Sequence, residues 1–249
     1  SEMVLLKSAG PDFCTGRLRD PDAGPPHPEA YSRRPEYDSI FYCYQAIRDA
    51  QVPVVGVIEG RCMGFGTAAA ACCDVSFASS NARFNIPEMT HQVMPTMVMS
   101  ALYDRISRNA IMWMTYSAEF IDAQQAMMYG IVSRAVDADK LEDEVTKFCE
   151  TLLSRPRPGI LGLKEYLRAA PNMDPQGALA YARSLHSMVN TAAAMKEDAE
   201  RCLAAGMDDV IIKPTTVPVL AAKLRQWLPD LVWETPVATT ATAAAPTAA

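Results

Sequence analysis

The sequence lacks any hydrophobic run long enough to cross a membrane, because charged residues such as Glu59, Arg61 and Asp74 interrupt its longest apolar stretch. It also lacks a block of Lys or Arg: 23 basic residues are scattered among 29 acidic ones, and the formal net charge is −6. No basic segment precedes an apolar one at Ser1, as a secretory signal would require. We therefore expect a cytoplasmic protein that binds neither membranes nor nucleic acid.

Metal-binding patterns are absent as well. None of the seven cysteines has C-x-x-C spacing, and the three histidines, His27, His91 and His186, are far apart. No cluster of His, Asp and Glu shows the spacing of a metal site. The odd number of cysteines, and the adjacency of Cys72 and Cys73 in an apolar segment, predict reduced, buried thiols. We expect no metal and no permanently bound cofactor.

The central feature that is present is an ordered series at residues 52–74: an apolar strand, a turn with three glycines, and an alanine-rich helix. A turn of this kind directs backbone N–H groups out of the helix N-terminus, where negative charge is stabilised. Such donors can hold a carbonyl oxygen that becomes negative during a reaction. Taken alone, however, a glycine turn is more often a tight strand–helix connection without a ligand.

Strand and helix patterns alternate along the chain, which predicts an α/β fold. Apolar segments of strand length lie at 3–7, 52–58, 75–78 and 131–136. Helical periods lie at 36–50, 95–116, 139–153, 159–169 and from 175 onward. Asp122 and Gln125 predict a capping box at the start of a short helix that ends before Gly130.

Four motifs carry a family resemblance. They are F-C-T-G-R at 13–17, G-R-C-M-G-F-G-T-A-A-A-A-C-C-D-V-S-F-A at 60–78, A-R-F-N-I-P-E-M at 82–89 and S-A-E-F-I-D-A-Q-Q-A-M-M-Y-G-I-V-S-R-A-V at 117–136. In this order and spacing they resemble the crotonase (enoyl-CoA hydratase/isomerase) superfamily. The resemblance implies a crotonase-like α/β fold, a ββα-repeat spiral core with a C-terminal helical trimerisation region. It also implies an acyl-CoA substrate, so that coenzyme A arrives as part of the substrate.

The resemblance implies an oxyanion hole made by the backbone N–H groups of Arg17 and Phe65. Both residues adjoin glycines, and the second begins a predicted helix. Many family members have glycine at the position of Phe65, so we expect its side chain to narrow the pocket. Further residues that the resemblance assigns to substrate binding are Phe13, Thr15, Gly16, Gly64 and Thr96.

The predicted acid–base chemistry depends on one carboxylate. Hydratases of the family have a glutamate at the position of Ala68, whereas the second family glutamate matches Glu88. One carboxylate can remove a proton from carbon and return it elsewhere, which favours an enoyl-CoA isomerase. For this role the pKa of Glu88 must be raised by an apolar wall, for which Phe84, Ile86 and Met89 are available.

Two alternatives stay open. The first is an enoyl-CoA hydratase or dehydratase in which His91 or a bound water replaces the missing glutamate. The second is a catalytically silent, crotonase-like binding module, favoured by the T-M-V-M sequence that follows Pro95 in place of the family's glycine cluster.

Three regions are expected along the chain: a crotonase-like core at 1–136, a helical region at 137–234 and a disordered tail at 235–249. The family's first strand–strand–helix segment is not recognisable before the strand at 3–7. The helical region implies a homotrimer or a dimer of trimers. Residues 198–228 also resemble, faintly, the end of a response-regulator receiver domain, but no phosphotransfer is predicted.

Overall fold

A computed structural model of the chain describes residues 2–16, 24, 26 and 28–204, with side chains described as far as residue 190 and at Ala204. The chain divides into two compact units, residues 1–189 and 190–249. Within the second unit the described part, residues 190–204, is helical.

Several sequence predictions fall outside the described residues. They include the backbone N–H of Arg17, His27, the predicted tail at 235–249, and the receiver-like stretch at 198–228 beyond Ala204. These stay predictions, as do the three predicted regions of the chain. In the part that the structure describes, no helix is both long and apolar enough to span a membrane.

Seven strands and eight helices are described. In chain order they are β1 (Val4–Lys7), α1 (Arg34–Asp49), β2 (Val54–Ile58), β3 (Arg61–Met63), α2 (Phe65–Cys72), β4 (Val75–Ser79), β5 (Arg83–Asn85), α3 (Thr96–Leu102), α4 (Arg108–Ser117), β6 (Ile121–Asp122), α5 (Ala123–Tyr129), β7 (Arg134–Val136), α6 (Leu141–Leu153), α7 (Arg157–Ala169) and α8 (Pro175–Ala204). Short 3₁₀ helices lie at Tyr31–Arg33, Glu88–His91, Ala138–Lys140 and Ala170–Asn172.

The main sheet has four parallel strands in the order β1-β2-β4-β7. Val4 pairs with Val54, Val55 with Val75, and Phe77 with Arg134. Every residue of β2 is buried, as its uninterrupted apolar sequence predicts for a central parallel strand. The alternation of parallel strands and helices confirms the predicted α/β class.

A second, smaller sheet has the order β3-β5-β6, with β3 parallel and β6 antiparallel to β5. An isolated parallel bridge joins Cys14 to Cys62 of β3. The small sheet therefore brings the segment around Cys14, the end of β3 and the end of β5 to one place, the N-terminus of α2.

The core lies on both faces of the main sheet. On one face, the alanines of α2 are at most 5% exposed and pack with α3, α4 and the small sheet. On the other face, Val55, Val57 and Phe77 pack with Leu141 and Val145 of α6. Alternation of side chains along a strand separates the two clusters. The predicted burial of the alanine-rich helix is confirmed.

Helix α7 is attached to the sheet through Lys164. Its Nζ donates to Asp74 Oδ2 at 2.6 Å and to the carbonyl oxygen of Val52 at 2.9 Å. The Lys164 side chain is only 12% exposed, so its charge is neutralised in a partly desolvated position.

Two local predictions have different outcomes. The capping box is confirmed: Asp122 Oδ1 accepts the Gln125 N–H at 2.8 Å, and Gln125 Oε1 accepts the Asp122 N–H at 3.1 Å. The single helix predicted at 95–116 is wrong. The chain turns between α3 and α4, where Ser107 caps α4 by accepting the Ala110 N–H at 3.3 Å.

Cysteines with described side chains are free thiols: Cys14, Cys43, Cys62, Cys72, Cys73 and Cys149. Cys62, Cys72 and Cys73 are buried, and burial raises their pKa values, which keeps them protonated and unreactive.

Candidate active site

The turn between β3 and α2 is built around Gly64. Its φ of +47° lies in a region that residues with a Cβ rarely adopt. The Gly64 N–H donates to the carbonyl oxygen of Asn85 at 2.9 Å, and its own carbonyl oxygen accepts the Ala68 N–H at 3.1 Å. Phe65 is the first helical residue, so its N–H has no acceptor within the helix and lies at the positive end of the helix dipole.

The Glu88 carboxylate lies directly against this turn. A Cβ at position 64 would overlap Glu88 Oε1. The other carboxylate oxygen, Oε2, is buried and has no hydrogen-bond partner among the described residues. Position 64 therefore requires glycine for two reasons, its backbone angle and the space that the carboxylate occupies.

Burial raises the pKa of the Glu88 carboxyl above its usual value, against a smaller lowering by its own backbone N–H and by His91. Phe84 and Ile86, two residues of the predicted apolar wall, are fully buried, whereas Met89 is 47% exposed and faces solvent. A partly desolvated carboxylate with an unpaired oxygen is suited to accept a proton from carbon.

The segment that precedes Arg17 reaches the same helix terminus. Cys14 donates its N–H to the Arg61 carbonyl oxygen at 3.0 Å and accepts the Met63 N–H at 2.8 Å. A Cβ on Gly66 would lie 2.6 Å from Cys14 Cβ, so this glycine permits the close approach. The segment around Cys14 and the glycine turn therefore lie at the same helix N-terminus, whereas the predicted role of the Arg17 N–H stays a prediction.

An ion pair holds that segment in register. Arg61 Nη2 lies 2.7 Å from Asp12 Oδ2, and the Arg61 N–H donates to Asp12 Oδ1 at 2.7 Å. These hydrogen bonds lower the pKa of the Asp12 carboxyl, whose side chain is partly buried. Next to it, Phe13 is half-buried against the core, while Thr15 and Gly16 are exposed.

Ala68 lies one turn into α2 and is completely buried. It belongs to the same core cluster as Val98 and Ala101 of α3, a helix that packs closely on α2. The position at which family hydratases have a glutamate thus holds a methyl group inside the core. Thr96, the first residue of α3, is exposed, and its N–H donates to the Met94 carbonyl oxygen at 2.9 Å.

Two aromatic side chains and one histidine complete the surroundings. The Phe65 ring stacks on Tyr44 of α1, with centroids 5.1 Å apart and an angle of 23° between the planes. The sequence places Tyr44 on an apolar helix face but gives no signal that it lies beside the turn. His91 shares the 3₁₀ helix of Glu88 and is exposed. Within the described residues, no three potential metal ligands lie together.

Comparisons with known proteins agree with this architecture. The enoyl-CoA hydratase/isomerase family model matches residues 3–204. The chain is 25% identical over 175 residues to the enoyl-CoA hydratase domain-containing protein 3, mitochondrial, of Rattus norvegicus, covering 68% of this chain and 56% of that protein.

Solved structures share the fold. An enoyl-CoA hydratase of Mycobacterium smegmatis superposes with a TM-score of 0.72 at 22% identity, over 84% of this chain and 80% of that one. A protein of Thermobifida fusca YX, solved in complex with CoA, gives a TM-score of 0.67 at 21% identity, over 78% and 77% of the two chains. These likenesses establish the crotonase fold.

The chain spans about half the length of the curated relatives it matches. The family match nevertheless extends from the first strand to the end of α8, and it includes Gly64, Phe65 and Glu88. On that match, with the strand–turn–helix geometry that the same residues form, the chain belongs to the enoyl-CoA hydratase/isomerase family.

Proposed function

We propose that the protein acts on an acyl-CoA thioester through an enolate, with Glu88 as its single carboxylate base, and that it isomerises the double bond of an enoyl-CoA. The backbone N–H groups of Phe65 and Arg17 hold the thioester oxygen. Phe13, Thr15, Gly16, Gly64 and Thr96 line the acyl-CoA site. The complex of a similar protein with CoA supports the substrate class.

One observation carries the proposal: the buried, unpaired Oε2 of Glu88 lies beside the N-terminus of α2. The negative form of this carboxylate is stabilised only weakly, because Oε2 has no hydrogen-bond donor among the described residues. It is therefore a stronger base than a solvated glutamate. The same helix terminus can stabilise the negative charge that develops on a thioester oxygen.

The proposed reaction conserves atoms and charge. Glu88 takes a proton from C2 of a 3-enoyl-CoA, and the electron pair moves onto the thioester oxygen to give a dienolate. The N–H of Phe65 donates to that oxygen. The protonated Glu88 then returns the proton to C4, and the double bond ends between C2 and C3.

The surroundings of Ala68 favour isomerisation over hydration. Adding water across a double bond needs a second polar group to hold and deprotonate the water. The buried methyl group of Ala68, on a helix against which α3 packs closely, provides none at the position where family hydratases have a glutamate.

Hydration is the second candidate. Similar proteins are named enoyl-CoA hydratases, and His91 lies on the same 3₁₀ helix as Glu88. A neutral imidazole can deprotonate a water, so His91 is the candidate for the missing second group.

The decisive experiment compares two assays on full-length protein, isomerisation of a 3-enoyl-CoA and hydration of a 2-enoyl-CoA. Glu88→Gln is nearly isosteric but cannot accept a proton, so we expect a loss of about a hundredfold or more in the relevant assay. Glu150→Gln, at an exposed position of α6, is the matched control and should change nothing.

Each outcome separates the alternatives. Isomerase activity that depends on Glu88 supports the proposal. Hydratase activity that depends on both Glu88 and His91 replaces it with the second candidate. A wild-type protein that binds CoA thioesters but turns over neither substrate is the silent binding module.

A further inference from the structure

The hydroxyl group of Tyr44 is buried and has no partner. The residue lies on α1 and is 3% exposed, and its Oη makes no hydrogen bond within the part of the chain that the structure describes. Buried hydroxyl groups in native proteins are nearly always paired with protein or water, so an unpaired one requires an explanation. The reaction proposed above makes no use of it.

The position of Tyr44 suggests what would form a hydrogen bond with its hydroxyl group. The Tyr44 ring stacks on Phe65, whose N–H is the proposed oxyanion donor, and Gly64 next to it contacts Glu88. The Tyr44 ring thus contacts the residue next to Gly64, and Gly64 in turn contacts the proposed base. A thioester oxygen held by the Phe65 N–H would place the start of the acyl chain beside the residue on which the Tyr44 ring stacks.

The hydroxyl group acts as a donor and not as an acid. Burial raises the pKa of Tyr44, and the negative charge of the nearby Glu88 carboxylate raises it further. The side chain therefore stays neutral and keeps its O–H. A carboxylate on the ligand would be repelled by Glu88, whereas a neutral oxygen would not.

We propose that Tyr44 is a specificity-determining residue whose O–H donates a hydrogen bond to a neutral oxygen, a hydroxyl or a carbonyl, on the acyl chain of the substrate. The substrate is then an oxygen-bearing acyl-CoA and not a plain hydrocarbon acyl-CoA. This inference rests on the proposed function, because it requires an acyl-CoA held at the N-terminus of α2.

The alternative is that Tyr44 only packs against Phe65. A phenylalanine would stack in the same way, so packing alone does not need the hydroxyl group. A donor that is paired only in the complex has a different consequence. It favours an oxygen-bearing ligand over the hydrocarbon analogue, because the analogue leaves the donor unpaired.

The test measures binding of CoA thioesters without a C=C bond, which can be neither isomerised nor hydrated. The probes are butyryl-CoA and two counterparts with one keto or hydroxyl oxygen, acetoacetyl-CoA and 4-hydroxybutyryl-CoA. Calorimetry gives the Kd of each for the wild-type protein, Tyr44→Phe and Tyr42→Phe. Tyr42 lies on the same helix and is 64% exposed, which makes its variant the matched control.

We expect at least one oxygen-bearing thioester to bind the wild-type protein about tenfold or more tightly than butyryl-CoA. Tyr44→Phe should lose that preference while its Kd for butyryl-CoA stays within about twofold, and Tyr42→Phe should keep it. The melting temperature of Tyr44→Phe should not fall, because no hydrogen bond of the free protein is removed.

Two results would overturn the inference and leave the proposed function standing: equal preferences in the wild-type protein and Tyr44→Phe, or a lower melting temperature of Tyr44→Phe without a change in preference. If the wild-type protein binds butyryl-CoA and all the other thioesters no better than a protein without a CoA site, the proposed function itself is wrong.

Discussion

At the scale of single residues, Glu88 and Gly64 depend on each other. The carboxylate occupies the space in which a side chain at position 64 would lie, and the left-handed turn keeps that space open. The cost is a desolvated carboxylate whose Oε2 has no hydrogen-bond partner in the described part of the chain. Native proteins commonly retain such unfavourable groups at functional sites, where the proposed chemistry needs them.

The desolvation of the Glu88 carboxylate predicts that the stability of the folded protein depends on pH. Because the folded pKa of Glu88 is raised, its contribution to stability is fully present below the unfolded pKa of about 4.3 and is lost as the pH rises through the folded pKa. The glutamine side chain does not ionise, so the Glu88→Gln variant does not lose stability in this way. We expect the variant to melt at a higher temperature than the wild-type protein at pH 7, with the difference vanishing below about pH 4.

Differential scanning calorimetry across this pH range measures the effect. A Glu88→Gln protein that is less stable at pH 7 would mean that the carboxylate has a stabilising partner. It would also remove the argument for a strong base at this position.

At the scale of elements, the N-terminus of α2 is where the small sheet, the segment around Cys14 and the 3₁₀ helix of Glu88 meet. Each contributes a backbone or side-chain group within one helical turn of Gly64. The first N–H groups of a helix need acceptors from outside it, and here the proposed acceptor is the thioester oxygen.

Replacing the first helical residue isolates that N–H. Phe65→Pro removes the donor, and proline is well tolerated at the first position of a helix. Phe65→Ala removes the same ring and its stacking on Tyr44 but keeps the donor. We expect turnover by the proline variant to be about a hundred- to a thousandfold below that of the alanine variant.

Circular dichroism must first establish that both variants fold. Similar rates for two folded proteins would show that this N–H does not hold the oxyanion. Phe65→Ala should still be active, with an altered choice of acyl groups because the side chain borders the site.

Sequence patterns predict elements that are long or capped, and they miss those that depend on distant partners. The apolar run of β2, the alanines of α2 and the capping box at Asp122 are all evident from the sequence. Strands β3, β5 and β6 have only two or three residues and show no periodicity; pairing alone defines them. The sequence does not show the break after Leu102, because the helical spacing of apolar residues continues across it.

The candidate site was predictable only in part for the same reason. The family resemblance assigns roles to Glu88 and Phe65, but no local pattern shows that the carboxylate lies on Gly64. Tyr44 illustrates the limit. Its spacing with Ile40 and Ile47 is typical of a core position, and only the fold reveals an unpaired hydroxyl group beside the turn.

At the scale of the whole molecule, α7 and α8 expose several large apolar side chains. Leu163, Leu167 and Leu179 are each about 60% exposed, and Met188 is 63% exposed. Isolated exposed apolar residues are ordinary, but several on neighbouring helices are typical of an interface.

We predict that full-length protein is a homotrimer or a dimer of trimers. Light scattering at micromolar concentration should give three or six times the mass of one chain. The double variant Leu163→Glu/Leu167→Glu should dissociate, whereas Tyr31→Glu, at a position that is 76% exposed and away from these helices, should not. A monomeric wild-type protein would contradict the prediction.

The backbone angles of Gly64 also make the turn sensitive to the chirality of the residue at position 64. With φ of 47° and ψ of −106°, its mirror image is close to the extended region that L-residues commonly occupy. A D-amino acid therefore fits this backbone without strain. Its Cβ would replace the other hydrogen of the glycine, away from Glu88. D-alanine at position 64 should thus leave the carboxylate in place, whereas L-alanine would displace it, although both add the same single methyl group.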